Sequence, residues 1–141
     1  MPLHVLLVFP DLIFLINNPL VFEQVHHFRD KQWITIEVTE SVKGVAGIDL
    51  PSLIDNIRAF GFAISIDDFG ADFANLSLFS SANFDEIKMD KSLVNSLLIN
   101  QKSQLIIESV VTICRKMGIR VVAEGVETEE QFYILQQNGC E

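Results

Sequence analysis

The chain has 141 residues, 49% of them hydrophobic and 21% charged, which excludes intrinsic disorder and is enough for one domain with a sizeable core. Its formal net charge of −9 lacks the basic footprint that bulk nucleic-acid binding needs to displace counterions from phosphates. A small phosphorylated ligand stays compatible with that charge, because a bound divalent cation can invert it locally.

Five short apolar runs alternate with helical patterns, the arrangement of parallel β-α units rather than of hairpins. The first strand is expected over Val5–Val8. The apolar opening from Leu3 to Ile16 is broken by Pro10 and Asp11 and has no Lys or Arg ahead of it, unlike a signal peptide. Each half is also far short of the roughly 18 to 20 residues a membrane helix needs, so buried strand or helix is the expectation. Asn18 and Pro19 read as the N-cap and first-turn proline of a helix to about Phe28. A second strand follows over Trp33–Val38, and Asp49 to Pro51 open a helix that ends at Gly61. The third and fourth strands are expected over Phe62–Ile66 and Glu86–Lys88. A longer helix from about Ser103 to Met117 is closed by Gly118 and leads into a fifth strand, Arg120–Ala123. The last helix opens with the capping box Thr128-Glu129-Glu130-Gln131 and stops at Gly139. Cys140 and Glu141 then look like the approach to another strand, as if the sequence were part of a larger architecture. Cys114 and Cys140 make no disulfide framework and have no zinc spacing, which suits a reducing, cytoplasmic setting.

Side chains alternate between the faces of a strand, so parity shows which face each strand gives to chemistry. Thr35 and Glu37 share a face, as do Ser65 and Asp67, Glu86 and Lys88, and Val122 and Glu124. Ile34, Ile36, Ile64, Ile66, Ile87, Val121 and Ala123 take the opposite face, where helices should cover them. The charged members Glu37, Asp67, Lys88 and Glu124 all fall at the C-terminal ends of their strands. In parallel α/β folds the loops leaving that end converge on one crevice. Three carboxylates beside Asp68 repel one another unless something cationic sits among them, and hard oxygen ligands favour Mg²⁺, Mn²⁺ or Ca²⁺. The pattern predicts a divalent-metal site with Lys88 at its rim, suited to polarising a phosphoryl oxygen and activating water. His26 and His27 are adjacent on a helix and face different directions, which argues against a joint metal site. Trp33 and the eleven phenylalanines are read as core.

Four segments, in this order and spacing, resemble the motifs of the EAL-domain cyclic di-GMP phosphodiesterases: Ile36-Glu37-Val38-Thr39-Glu40-Ser41, Ser65-Ile66-Asp67-Asp68-Phe69-Gly70, Ile87-Lys88-Met89-Asp90, and Val121-Val122-Ala123-Glu124-Gly125-Val126-Glu127-Thr128. The resemblance runs from about Trp33 to Glu141. It implies a parallel TIM-like (β/α) barrel, of which residues 1–141 would form an incomplete, five-strand portion of one domain. It also implies Mg²⁺ or Mn²⁺ as cofactor, two ions in a complete member, and hydrolysis of one phosphodiester bond of cyclic di-GMP to linear pGpG. By position, Glu37, Asp67 and Asp68 would bind metal, with Asp67 bridging two ions. Lys88 would position the attacking water or the phosphate, and Glu124 would act as general base or lie beside the second ion. Glu40 would hold the loop after Asp68. Supporting roles are open for Asp90, which equally suits a cap on the following turn, and for Glu127, which equally suits a loop charge.

The departures from the family pattern set further expectations. The name-giving Glu-Ala-Leu, whose glutamate is a metal ligand in the family, occurs nowhere in the chain, and Leu7 falls where the family has a ligating asparagine. After Gly70 the loop continues Ala71-Asp72-Phe73 where the family has Thr-Gly-Tyr, and the later Gln-Gly-Tyr is absent. These 141 residues alone are therefore expected to turn over weakly or not at all, to self-associate, and to work beside flanking domains. The alternative is a degenerate domain that binds cyclic di-GMP or a protein without chemistry. A phosphoacceptor receiver is disfavoured, because its lysine should follow its acids whereas Lys88 precedes Glu124.

Overall fold

The computed structural model describes residues 3–6, 34–39, 49–71 and 74–141. Five strands, β1 (Leu3–Leu6), β2 (Ile34–Val38), β3 (Ala63–Phe69), β4 (Glu86–Met89) and β5 (Arg120–Ala123), form one sheet. Every neighbouring pair is parallel, and the spatial order is the chain order. A sheet that advances one strand at a time in one direction is the kind that curls into a barrel, whereas a doubly wound sheet reverses its order. The described helices are α1 (Leu50–Ala59), α2 (Ala74–Ser81), α3 (Lys91–Asn95), α4 (Gln101–Met117) and α5 (Glu129–Asn138).

The outer face of the sheet holds the core, as the strand parity predicts. Ile36, Val38, Ile64, Ile66, Ile87, Met89 and Val121 are buried together with Leu53, Ile54 and Ile57 of α1 and Ile107, Val110, Val111 and Cys114 of α4. Each such side chain contributes on the order of 1.5–3 kcal/mol by leaving water. The opposite face carries the polar set, and four of its members stay buried: Thr35, Glu37, Ser65 and Glu86.

Several boundaries depart from the sequence expectation. The first strand is described over Leu3–Leu6, so it begins ahead of the expected Val5, and residues 7 and 8 of that expectation lie outside the described residues. The third strand runs on past Ile66 through Asp67 and Asp68 to Phe69. Its pairing with β4 shifts register between Ile66 and Phe69, an irregularity that lets the two aspartates sit inside a strand where turn statistics suggest a loop. Phe69 is then buried against Phe79, ring centroids 5.5 Å apart. The long helix starts at Gln101, because the Asn100 side chain accepts the Lys102 amide at 2.9 Å. Asp49 stands at the N-cap of α1 without a side-chain cap bond; its carboxylate accepts from the Ser52 hydroxyl instead. The expected capping box of α5 is present, Thr128 and Gln131 each accepting the other's backbone amide at 3.1 Å.

Glu141 extends the sheet as its approach to a strand suggests. Its amide donates to the Val121 carbonyl at 2.9 Å, and its carbonyl accepts the Ala123 amide at 3.2 Å. The helix expected from Asn18 to Phe28, together with Leu7, Trp33, Glu40, Asp72 and Phe73, lies outside the described residues. Among the described residues no helix is long and apolar enough to cross a membrane.

Candidate active site

The C-terminal ends of β3, β4 and β5 are stitched by backbone bonds just where the charged residues leave the sheet. The Asp90 amide donates to the Phe69 carbonyl at 2.9 Å, and the Glu124 amide donates to the Met89 carbonyl at 3.1 Å. Asp67, Asp68, Lys88, Asp90 and Glu124 are thereby gathered at one rim of the sheet, while Glu37 reaches the same place from β2.

Lys88 is the hub of this rim. Its Nζ lies 2.7 Å from Glu124 Oε1, 3.1 Å from Glu37 Oε1 and 3.6 Å from Asp67 Oδ1. The lysine side chain is 16% exposed, so one ammonium opposes several carboxylates in a partly desolvated place. Burial alone would pull its pKa down, but the hydrogen bonds to Glu124 and Glu37 and the nearby Asp67 charge outweigh it and hold the ammonium above its ordinary value.

Asp67, Asp68 and Glu124 can each offer a carboxylate oxygen within 4.8 Å of the others. Asp68 is the single non-glycine residue at positive φ, 54°, among the described residues. That left-handed conformation is one that aspartate tolerates better than most, and it turns the second carboxylate out of the strand alternation towards the first. Desolvation, then repulsion from Asp67, Asp90 and Glu124, pushes the Asp68 carboxyl above the usual range, with Lys88 only partly opposing. A donor set made wholly of carboxylate oxygens, carrying more negative charge than one lysine neutralises, fits a hard divalent cation.

The expected site residues thus separate into roles by place. Asp67, Asp68 and Glu124 share one cluster, and Glu37 sits on Lys88 beside it. Asp90 caps α3, its carboxylate accepting the Ser92 amide at 2.8 Å and the Ser92 hydroxyl, and these bonds lower its pKa. Glu127 is exposed, and its amide donates to Gln131 Oε1 at 2.8 Å. One layer deeper, Glu37, Ser65, Glu86 and Arg120 occupy a single register row across β2 to β5. Arg120 Nε donates to the buried Glu86 Oε2 at 2.7 Å. Parity signals that row in the sequence, but only the strand register shows that its members are neighbours.

The sequence profile of the EAL domain matches residues 13–141. The chain belongs to the EAL domain family. This EAL domain is 37% identical over 111 residues to the oxygen sensor protein DosP of Escherichia coli, covering 79% of the chain and 14% of DosP. It is 31% identical over 109 residues to the cyclic di-GMP phosphodiesterase NbdA of Pseudomonas aeruginosa, covering 77% of the chain and 14% of NbdA. Among solved structures, BlrP1 of Klebsiella pneumoniae with manganese and cyclic di-GMP superposes with a TM-score of 0.83 at 33% identity, over 99% of this chain and 36% of that one. The PaMucR phosphodiesterase in complex with cyclic di-GMP gives 0.81 at 28% identity, over 99% of this chain and 57% of that one. The five-stranded parallel sheet is accordingly a portion of the TIM-like barrel of EAL domains. The relatives DosP and NbdA are far longer than the segment that the chain matches in them.

Proposed function

We propose that this EAL domain serves the hydrolysis of cyclic di-GMP to pGpG with Mg²⁺ or Mn²⁺. The observation that carries the reading is the convergence of Asp67, Asp68 and Glu124 on one point, with Lys88 bonded to Glu124 at 2.7 Å. The names of NbdA, BlrP1 and PaMucR supply the substrate and, for BlrP1, a divalent ion. Asp67 and Asp68 would hold the cation, with Glu124 beside it and Glu37 within reach through Lys88. Such a cation supplies Lewis-acid polarisation of a phosphoryl oxygen and makes a nearby water more acidic.

The chain's own residues then divide the work. Lys88 stays protonated at neutral pH, fixes Glu37 and Glu124 by hydrogen bonds, and presents a donor to a non-bridging phosphoryl oxygen. Glu124, 38% exposed and so the most open partner of Lys88, takes the proton from the attacking water. The new P–O bond forms to that water oxygen while the bond from phosphorus to the 3′ oxygen breaks; the departing 3′ oxygen takes a proton from solvent, leaving a 3′ hydroxyl and a 5′ phosphate. A cytoplasmic setting and flanking domains complete the reading, since the relatives extend far beyond the matched segment.

The 141 residues by themselves should turn over slowly, because neither the Glu-Ala-Leu glutamate nor the family's asparagine occurs at its expected place and misplacement of reacting groups by about 1 Å can cost a hundredfold. Incubation of the pure chain with cyclic di-GMP and Mn²⁺, followed by chromatography, should yield a trace of pGpG that Glu124→Gln abolishes. Nucleotide binding without any pGpG would replace this reading by the degenerate binding module. Neither binding nor turnover would end both.

A further inference from the structure

Between the two turns that leave the acidic cluster stands the short helix α3, and it touches both at glycines. A Cβ on Gly70 would lie 2.8 Å from Leu93 Cδ2, and one on Gly125 would lie 2.5 Å from Lys91 Cβ and 3.4 Å from Lys91 Cα. Gly70 follows Asp68 by two residues and Gly125 follows Glu124 directly. On one side, therefore, α3 bears on the turn that carries Asp67 and Asp68, and on the other on the turn that carries Glu124.

The helix cannot recede from either contact. Val94 is fully buried beneath it, and the Leu93 and Val94 amides both bond to the Asp90 carbonyl, at 3.1 and 3.2 Å. The Asp90 carboxylate fixes the Ser92 amide. Asp90 itself is tied to Phe69, and its neighbour Met89 to Glu124, by the backbone bonds described above. The first turn of α3 is thus held at a set height on β4 and fills the gap between the ends of β3 and β5.

The geometry points to α3 as a spacer that sets the separation of the Asp67 and Asp68 carboxylates from Glu124, with Leu93 and Lys91 as positioning residues bearing on Gly70 and Gly125. The inference rests on the metal-site reading for its consequence, not for the contacts. Gly125 has φ +69° and Gly118, at the end of α4, has φ +72° with nothing within 4 Å of an added Cβ. An alanine at Gly118 therefore carries the same dihedral strain without the contact, which makes it the control.

The test is a set of Mn²⁺ calorimetric titrations on the full chain, each paired with a thermal unfolding midpoint. Gly125→Ala should weaken Mn²⁺ binding by about tenfold, the low end for groups that orient metal ligands. Adding Lys91→Gly, which removes the clashing Cβ, should recover most of that loss. Gly70→Ala should behave likewise and be relieved by Leu93→Ala. Gly118→Ala should lower the midpoint and leave Mn²⁺ affinity unchanged. Double variants as weak as the single ones, or a Gly118→Ala that weakens Mn²⁺ equally, would overturn the spacer. Should Gly125→Ala fail to fold, Leu93→Phe enlarges the spacer from the helix side, and unchanged Mn²⁺ binding by the folded variant would count against it. A wild-type chain that binds no Mn²⁺ would instead defeat the metal reading. The spacer is then decided by the crystal structure of Gly125→Ala, where it requires Glu124 to move relative to Asp67 and fails if the pair stays put.

Discussion

Among the described residues Lys88 is the ammonium set between these carboxylates, a structural duty that can be separated from chemistry. Removing one partner from a largely desolvated charge cluster strands the rest, a loss of about 3 kcal/mol. Lys88→Met should therefore lower the free energy of urea unfolding by about that much at pH 7. The Lys88 pKa is raised on folding, so the stability it supplies is complete below the unfolded value of about 10.4 and fades only as pH rises through the higher folded one. Asp68 tests the same cluster from the other charge. Its carboxyl is raised, so the native state is favoured below the unfolded value of about 3.9 and loses ground as pH climbs through the folded one. In metal-free buffer at pH 7, Asp68→Asn should unfold at higher urea than wild type, since asparagine also tolerates positive φ. Saturating Mn²⁺ should reverse that order. A variant no more stable without metal would remove the repulsion argument.

At the scale of elements, the loop after Glu124 is shaped by the helix it enters. Gln131, 5% exposed, accepts both the Glu127 and Thr128 amides through Oε1, and Thr128 Oγ1 in turn accepts the Gln131 amide. Thr128→Ala should cost about 1 kcal/mol, the usual worth of an N-cap hydroxyl. Gln131→Ala should cost about 2 kcal/mol, because it empties a buried position and removes the acceptor of two backbone amides. Chemical denaturation of both variants, with equal losses as the contrary result, decides whether the glutamine or the threonine carries the box. The punctuation of this element was legible because a capping box is local chemistry. The helix α3 was not legible. Five residues between Asp90 and Ser96 give no apolar period, and the two glycines that the helix packs against, Gly70 and Gly125, lie 55 positions apart in sequence.

For the whole molecule, the sheet of described strands has β1 and β5 at its two edges, and only Glu141 pairs beyond β5 among the described residues. Large apolar side chains stand in water on the helices outside it, among them Ile106 at 51%, Met117 at 63% and Phe132 at 57% exposure. Sheet edges left open among the described residues, and apolar surface, both favour association. Sedimentation of the 141-residue chain should show mass rising with concentration, and Ile106→Lys should shift it towards the monomer. A sharply melting monomer across the micromolar range would refute this.

What the sequence determined by itself was whatever depends on neighbours along the chain. Strand parity separated Ile36, Ile64, Ile87 and Val121 from Glu37, Asp67 and Lys88, and the order of strand and helix implied parallel crossovers. The strand-end position of the acids marked one rim of the sheet as the place to look for a divalent-metal site. Tertiary structure alone decided which of those acids meet. Asp68 joins Asp67 and Glu124 only because β3 slips register before Phe69 and the chain turns to positive φ there. Glu37 reaches Lys88 across β3 from a register row two residues below it, the row of Ser65 and Glu86. Distances of this kind are fixed by register and by what packs between strand ends, and both are long-range quantities that no local pattern encodes.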